Sequence, residues 1–193
     1  SYNGDMFISF IIIEANEAPG TPTVKLGDQT YEGGLWFREV SAKANDMVEE
    51  GSTEKIPTVL TYTTDGTAPT AASQKYTEPI KCYKDMTVKF QAFMDLLGTG
   101  QITDEDICDG ADNEANVSFS FEAPSIEVEG ANVTIVSQYE NARNFLSLDG
   151  TAAGAEELSQ ITLEESASIY AYTLIDNGDY ATFTSKSTLK DVY

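Results

Sequence analysis

Apolar positions in this chain recur at every second residue over short runs, the period of a strand with one face on a core. The clearest run is Thr87 to Phe93, where Val88, Phe90 and Ala92 alternate with Lys89, Gln91 and Phe93. Leu60 to Thr64 predicts a second strand, closed by an Asp65-Gly66 turn, and a short apolar return follows at Pro79-Ile80. The same plan recurs from Asn144 to Leu174, with Asp149-Gly150-Thr151-Ala152 after a strand, then Ile161, then alternation from Ile169. The second copy is shorter between turn and isoleucine, where a loop deletion is cheapest.

The repeat divides the chain into parts. Residues 1–16 predict an N-terminal strand, 19–122 a first domain with an acidic insertion at 95–116, and 123–193 a second domain. Within the first domain, strands are expected at 24–26, 35–42, 58–64, 87–93 and 117–121, with 43–55 a long loop or short helix. In the second they are expected at 125–128, 133–136, 144–148, 168–174 and 181–185, the last after an Asp176-Asn177-Gly178-Asp179 turn. Short strands at regular spacing, with no helical period between them, predict antiparallel sandwiches.

Met6 to Ile13 is the most apolar run, and it reads as a strand buried on both faces. The segment Ser9–Gly27 parallels Ser118–Gly130: an apolar strand ending in Glu, a proline linker, then Pro-Thr-Val or Pro-Ser-Ile. Two origins stay open for Phe7, Ile8, Phe10, Ile11, Ile12 and Ile13. They form either a first strand of the first domain, or the last strand of a preceding domain that can pair with another chain.

Charge narrows the partners. The 193 residues carry 32 Asp and Glu against 11 Lys and Arg, a formal net charge of -21. Nucleic acid and anionic membrane surfaces are poor partners for such a chain. No apolar run is long enough to span a bilayer, so no membrane insertion is expected. The first residues lack the basic start of a secretory signal, and the chain reads as a mature or excised piece. Histidine is absent. The commonest general base and metal ligand is thereby removed, and with it the Ser-His-Asp and Cys-His routes to catalysis.

Tyr62-Thr63-Thr64-Asp65-Gly66-Thr67-Ala68-Pro69-Thr70, Tyr76-Thr77-Glu78-Pro79-Ile80 and Thr87-Val88-Lys89-Phe90-Gln91-Ala92 together resemble the immunoglobulin- or fibronectin-III-like module at the C-terminus of chitobiases and β-hexosaminidases. The second copy keeps Leu146-Ser147-Leu148-Asp149-Gly150 with Ile161 and Ile169, but lacks the Pro-Thr and Tyr-x-x-Pro elements. The resemblance implies an all-β chain of two tandem immunoglobulin/fibronectin-III-like β-sandwiches. It further implies a non-catalytic accessory of an exported bacterial protein: extracellular, on the cell surface or periplasmic. The motif residues are structural in that reading, and no catalytic residue is expected.

Several groups are candidates for other chemistry. Asp104, Asp106, Asp109, Asp112 and Glu114 supply the hard oxygen ligands calcium takes, yet without EF-hand spacing; a bound calcium and a solvated acidic loop both stay open, and no other cofactor is expected. Cys82 and Cys108 fit neither a zinc site nor a redox motif, and a disulfide between them would tether the acidic insertion. Trp36, Tyr170 and Tyr172 could stack on a sugar, or pack as ordinary sandwich aromatics. Two functions follow: a structural or interaction module whose partner is protein, including self-assembly, or a carbohydrate-binding accessory of a glycoside hydrolase.

Overall fold

The computed structural model describes residues 19–45, 47–48, 53, 55–95, 98–102 and 111–193. The candidate strand Phe7 to Ile13 and the acidic residues Asp104, Asp106 and Asp109 lie outside them, as does Cys108. Every regular element among the described residues is a β-strand.

In the first half, β1 (Thr23–Leu26) and β2 (Thr30–Glu32) pair along one edge of β3 (Leu35–Lys43). A small hairpin of β4 (Met47–Val48) and β5 (Lys55–Ile56) occupies the region expected to be loop or helix. Next come β6 (Thr58–Thr63), β7 (Gln74–Lys75) and β8 (Ile80–Cys82), then β9 (Met86–Met94) and β10 (Asn113–Val117). β8 joins the free edge of β3, so Val40 stands between Leu26 and Ile80 across three strands. The opposing sheet runs β10-β9-β6-β7. Between them lies a core of Val40, Cys82, Val88, Phe90, Ala115 and Val117. The alternation read in the sequence places Val88, Phe90 and Ala92 inside, all without solvent exposure. Full burial of a side chain such as phenylalanine contributes about 1.5–3 kcal/mol.

The second half repeats this plan. β11 (Ser125–Glu129), β12 (Asn132–Val136) and β15 (Gln160–Thr162) form one sheet, with Val133 opposite Ile161 as Val40 is opposite Ile80. The other sheet is β14 (Glu156–Glu157), β13 (Ala142–Ser147), β16 (Ala167–Asn177) and β17 (Ala181–Thr184). β18 (Thr188–Val192) also lies on β16, beside its first residues, whereas β17 pairs with its last ones. Ile126, Val133, Ile135, Leu146, Ile169 and Ala171 fill this core. β11-β12-β15 facing β14-β13-β16-β18 matches β1-β3-β8 facing β7-β6-β9-β10, since β18 pairs with the first residues of β16 as β10 does with those of β9, and β17 is an addition of the second half.

One expected strand is displaced. Residues 117–121 read as a strand because Val117, Phe119 and Phe121 alternate, but the strand ends at Val117. Val117 serves the first core, whereas Phe121 lies in a separate cluster with Ile175 and Phe183, against which Phe119 also packs. The period of two there comes from a seam between the halves and not from a sheet.

Candidate functional site

The two Asp-Gly-Thr turns have the same geometry. Asp65 Oδ1 accepts the Thr67 N–H at 3.0 Å and its hydroxyl at 2.6 Å, while the Thr63 hydroxyl donates to the Thr67 carbonyl at 2.5 Å. Asp149 Oδ1 accepts the Thr151 N–H and hydroxyl, both at 3.0 Å, and the Ser147 hydroxyl donates to the Thr151 carbonyl. Gly66 and Gly150 take φ of +79° and +75°, which lets the chain reverse without a Cβ in the way. The hydrogen bonds from Thr67 hold the Asp65 carboxyl below the usual range, and those from the Thr151 N–H and hydroxyl do so for Asp149. A proton-donating carboxyl in hydrolysis needs the opposite shift. These aspartates build turns.

The remaining sequence candidates separate. Asp112 and Glu114 both lie against Lys89 Nζ, at 3.3 and 3.5 Å, so one of their two negative charges is balanced within the chain. Asp112, by hydrogen bond and charge, followed by Glu114, raises the Lys89 proton affinity. Among the described residues no three His, Cys, Asp or Glu side chains converge as metal ligands. Among the described residues Cys82 has no disulfide partner. It points into the first core at 2 % exposure, with its Sγ 3.8 Å from the Ile80 carbonyl, and burial pushes its proton affinity up. Its expected disulfide partner, Cys108, lies outside the described residues.

Tyr170 and Tyr172 lie on the outer face of β16 and line an open groove of about 470 Å³ with Leu174 and Lys186. They are not coplanar: their planes meet at 60°, and Tyr172 instead stacks on Phe145 across the strand pair at 5.2 Å and 11°. Trp36 does not line that groove. Its ring is enclosed by Tyr31, Phe121 and Tyr139 at 4.9, 5.2 and 5.8 Å.

Trp36 marks the most developed polar and aromatic arrangement in the molecule, the joint between the two sandwiches. β8 leaves the edge of β3 after Cys82, opposite Arg38, so two residues earlier on β3 the backbone of Trp36 faces an empty lane. The side-chain amide of Asn177, from the end of β16, fills that lane. Trp36 N–H donates to its Oδ1 at 2.6 Å, and its Nδ2 donates to the carbonyls of Trp36 at 3.0 Å and Tyr83 at 2.6 Å. A primary amide offers two donors and an acceptor, so it can stand in for a peptide unit of a missing strand. Asn177 is fully buried. The period of two in β16, which buries Ile169, Ala171, Thr173 and Ile175, continues to Asn177, but the Asp-Asn-Gly-Asp turn signal masks it in the sequence.

The connecting segment is tied from end to end. Arg38 donates to the Ser118 carbonyl, the Phe119 N–H donates to Asp85, and the Ser120 N–H donates to Gln29. Beyond them the Phe121 carbonyl accepts the Lys186 N–H, and the Glu122 N–H donates to the Tyr139 hydroxyl. Of these main-chain ties three come from the first sandwich and two from the second, and Lys186 Nζ adds an ion pair to Glu122 at 2.6 Å. Rings close the seam, with Tyr83 stacked on Tyr180 at 4.5 Å and Phe119 on Phe183 at 4.7 Å.

The protein is thus an all-β chain of immunoglobulin/fibronectin-III-type sandwiches. Residues 49–103, a span that contains β5 to β9, match the family model of the chitobiase/beta-hexosaminidase C-terminal domain. That span contains the Asp65 turn, Tyr76, Pro79-Ile80 and the β9 alternation on which the sequence resemblance rested. No curated protein matches the chain.

Proposed function

We propose that the chain is a non-catalytic spacer or accessory module of an exported or cell-surface bacterial protein, whose task is to hold two sandwiches at one fixed angle. The observation that carries this is the Asn177 amide seated as a strand surrogate in the first sandwich. A flexible tether would leave solvated backbone between the halves, whereas here each residue of the connection from Ser118 to Glu122 has a partner. Small polar inter-domain contacts ordinarily permit relative motion; a buried, hydrogen-bonded and aromatic one opposes it.

The test is a distance measurement. Spin labels on Cys substitutions at exposed Glu78 and Glu164, with both native cysteines replaced by alanine, should give one narrow distance distribution. A broad or bimodal one overturns the reading. The same protein is expected to release nothing from aryl N-acetylglucosaminides, and measurable turnover would contradict the non-catalytic part.

The groove beside Tyr170 and Tyr172 supports the alternative, a glycan-binding accessory, because it combines ring surface with Thr184, Ser185 and Lys186. Titration of chitin oligosaccharides followed by NMR separates the two. Shifts confined to that face and abolished by Tyr172→Ala favour glycan binding; an unchanged spectrum favours the spacer.

A further inference from the structure

Asn177 is followed by Gly178, and that dipeptide has chemistry of its own. The backbone nitrogen after an asparagine can attack the side-chain Cγ, and a glycine there offers no side chain to obstruct it. We propose that Asn177-Gly178 is a self-modification site gated by the joint, silent while the joint is closed and irreversible once it has opened. The inference rests on the reading of the joint as rigid.

The reaction balances within the chain and water. Gly178 N forms a bond to Asn177 Cγ, the Cγ–Nδ2 bond breaks, and the nitrogen leaves as ammonia with the proton lost from Gly178 N–H. The resulting succinimide takes up one water and opens to aspartate or isoaspartate. In the closed joint each requirement is blocked. Nδ2 is held by two carbonyls and Oδ1 by the Trp36 N–H, so Cγ cannot rotate toward Gly178 N without breaking all three bonds. Asn177 has no solvent exposure, so water for hydrolysis is absent as well. Gly178 itself is pinned in the turn at φ +59°, where a Cβ would come within 3.2 Å of Leu35.

The product cannot return to its seat. A carboxylate in place of the amide would aim oxygen at the carbonyls of Trp36 and Tyr83, leaving two acceptors facing an anion with no donor between them. Isoaspartate also lengthens the main chain by one carbon at the end of β16. A single opening event long enough for reaction would therefore convert a fixed pair of sandwiches into a hinged pair.

The full chain, incubated in mildly alkaline buffer and digested at intervals, reports this by the mass gain at the peptide containing Asn177. Conversion should be at least about tenfold slower in the native protein than in the same protein held unfolded in denaturant, since reaction needs the open state. Tyr180→Ala, which removes the stack on Tyr83 but none of the three hydrogen bonds, should fall between. Equal rates in native and unfolded protein would overturn the gating. Spin-label distances on the converted fraction complete the test. A distribution that starts narrow and broadens on conversion supports the proposal, whereas one that stays narrow refutes it. A distribution already broad before conversion refutes the rigid joint itself, a separate failure.

Discussion

Gly66 and Gly150 occupy the same place in their turns, yet their surroundings differ in a way that sets different costs. A Cβ on Gly66 would meet Thr87 at 3.6 Å, ordinary contact, whereas on Gly150 it would meet the Ser168 Cβ at 3.2 Å. Gly66→Ala should cost about 1–2 kcal/mol from the left-handed backbone alone. Gly150→Ala should cost more, because Ser168 must also give way; chemical denaturation of the two variants checks the order. The neighbouring aspartates add a pH dependence. Both have folded-state proton affinities lowered by their threonine partners, so their contribution is present above the unfolded value, about pH 4. It is lost as the pH falls through the lower folded values. Asp149→Asn should flatten the acid limb of a stability–pH curve and lower stability at neutral pH. An acid limb unchanged from the parent would contradict the assignment. These turns were legible in the sequence because they depend on local chemistry: an aspartate that caps its own turn and a glycine that permits positive φ.

At the scale of elements, the legible part was whatever alternates against a single core. The predicted boundaries of β3, β6, β9 and β12 fall within a residue or two of the observed ones, since one face of each is buried. The short strands β7 and β14 have too few residues to show a period, and β18, Thr-Leu-Lys-Asp-Val, carries charge at its centre. Phe119 and Phe121 misled in the opposite sense, alternating for the sake of the seam. Tyr76 shows what the family motif does physically. Its ring meets Phe90 edge-on at 5.4 Å, and its hydroxyl accepts the Ala42 N–H at 3.2 Å from the opposite sheet. Tyr76→Phe should cost about 1–3 kcal/mol by orphaning that donor, visible as a lowered denaturation midpoint with unchanged slope. Cys82 lies in the same core. It should resist thiol reagents in the native protein and react once unfolded as a thiol, and an intact mass two hydrogens short before reduction would instead show the expected bond to Cys108.

At the scale of the molecule, the joint could not be read from sequence because it depends on residues far apart in the chain. Trp36 and Asn177 meet only when both sandwiches exist, and the alternation that places Asn177 on the inner face of β16 does not name its partner. A single tryptophan offered packing or a sugar platform as alternatives, and its enclosure by Tyr31, Phe121 and Tyr139 selects packing. Trp36→Ala should cost about 3–5 kcal/mol and uncouple the halves, so that one calorimetric transition becomes two. A single transition displaced to lower temperature would mean that the halves communicate by another route.

The lane that Asn177 occupies bears on the order in which this chain reaches its native state. A polypeptide emerging from the ribosome completes its N-terminal parts first. The first sandwich can close its hydrophobic core on its own residues, but the Trp36 and Tyr83 carbonyls must wait for a side chain located nearly a hundred residues downstream of Tyr83. Until β16 is made, that edge carries unpaired main-chain groups beside an exposed indole, a place where another nascent chain could bind. Arrival of the second sandwich both finishes the first and hides its most adhesive edge. Synthesis stalled between Glu122 and Asn177 would thus leave a folded but sticky intermediate, the point in the life of this protein at which a chaperone has most to do.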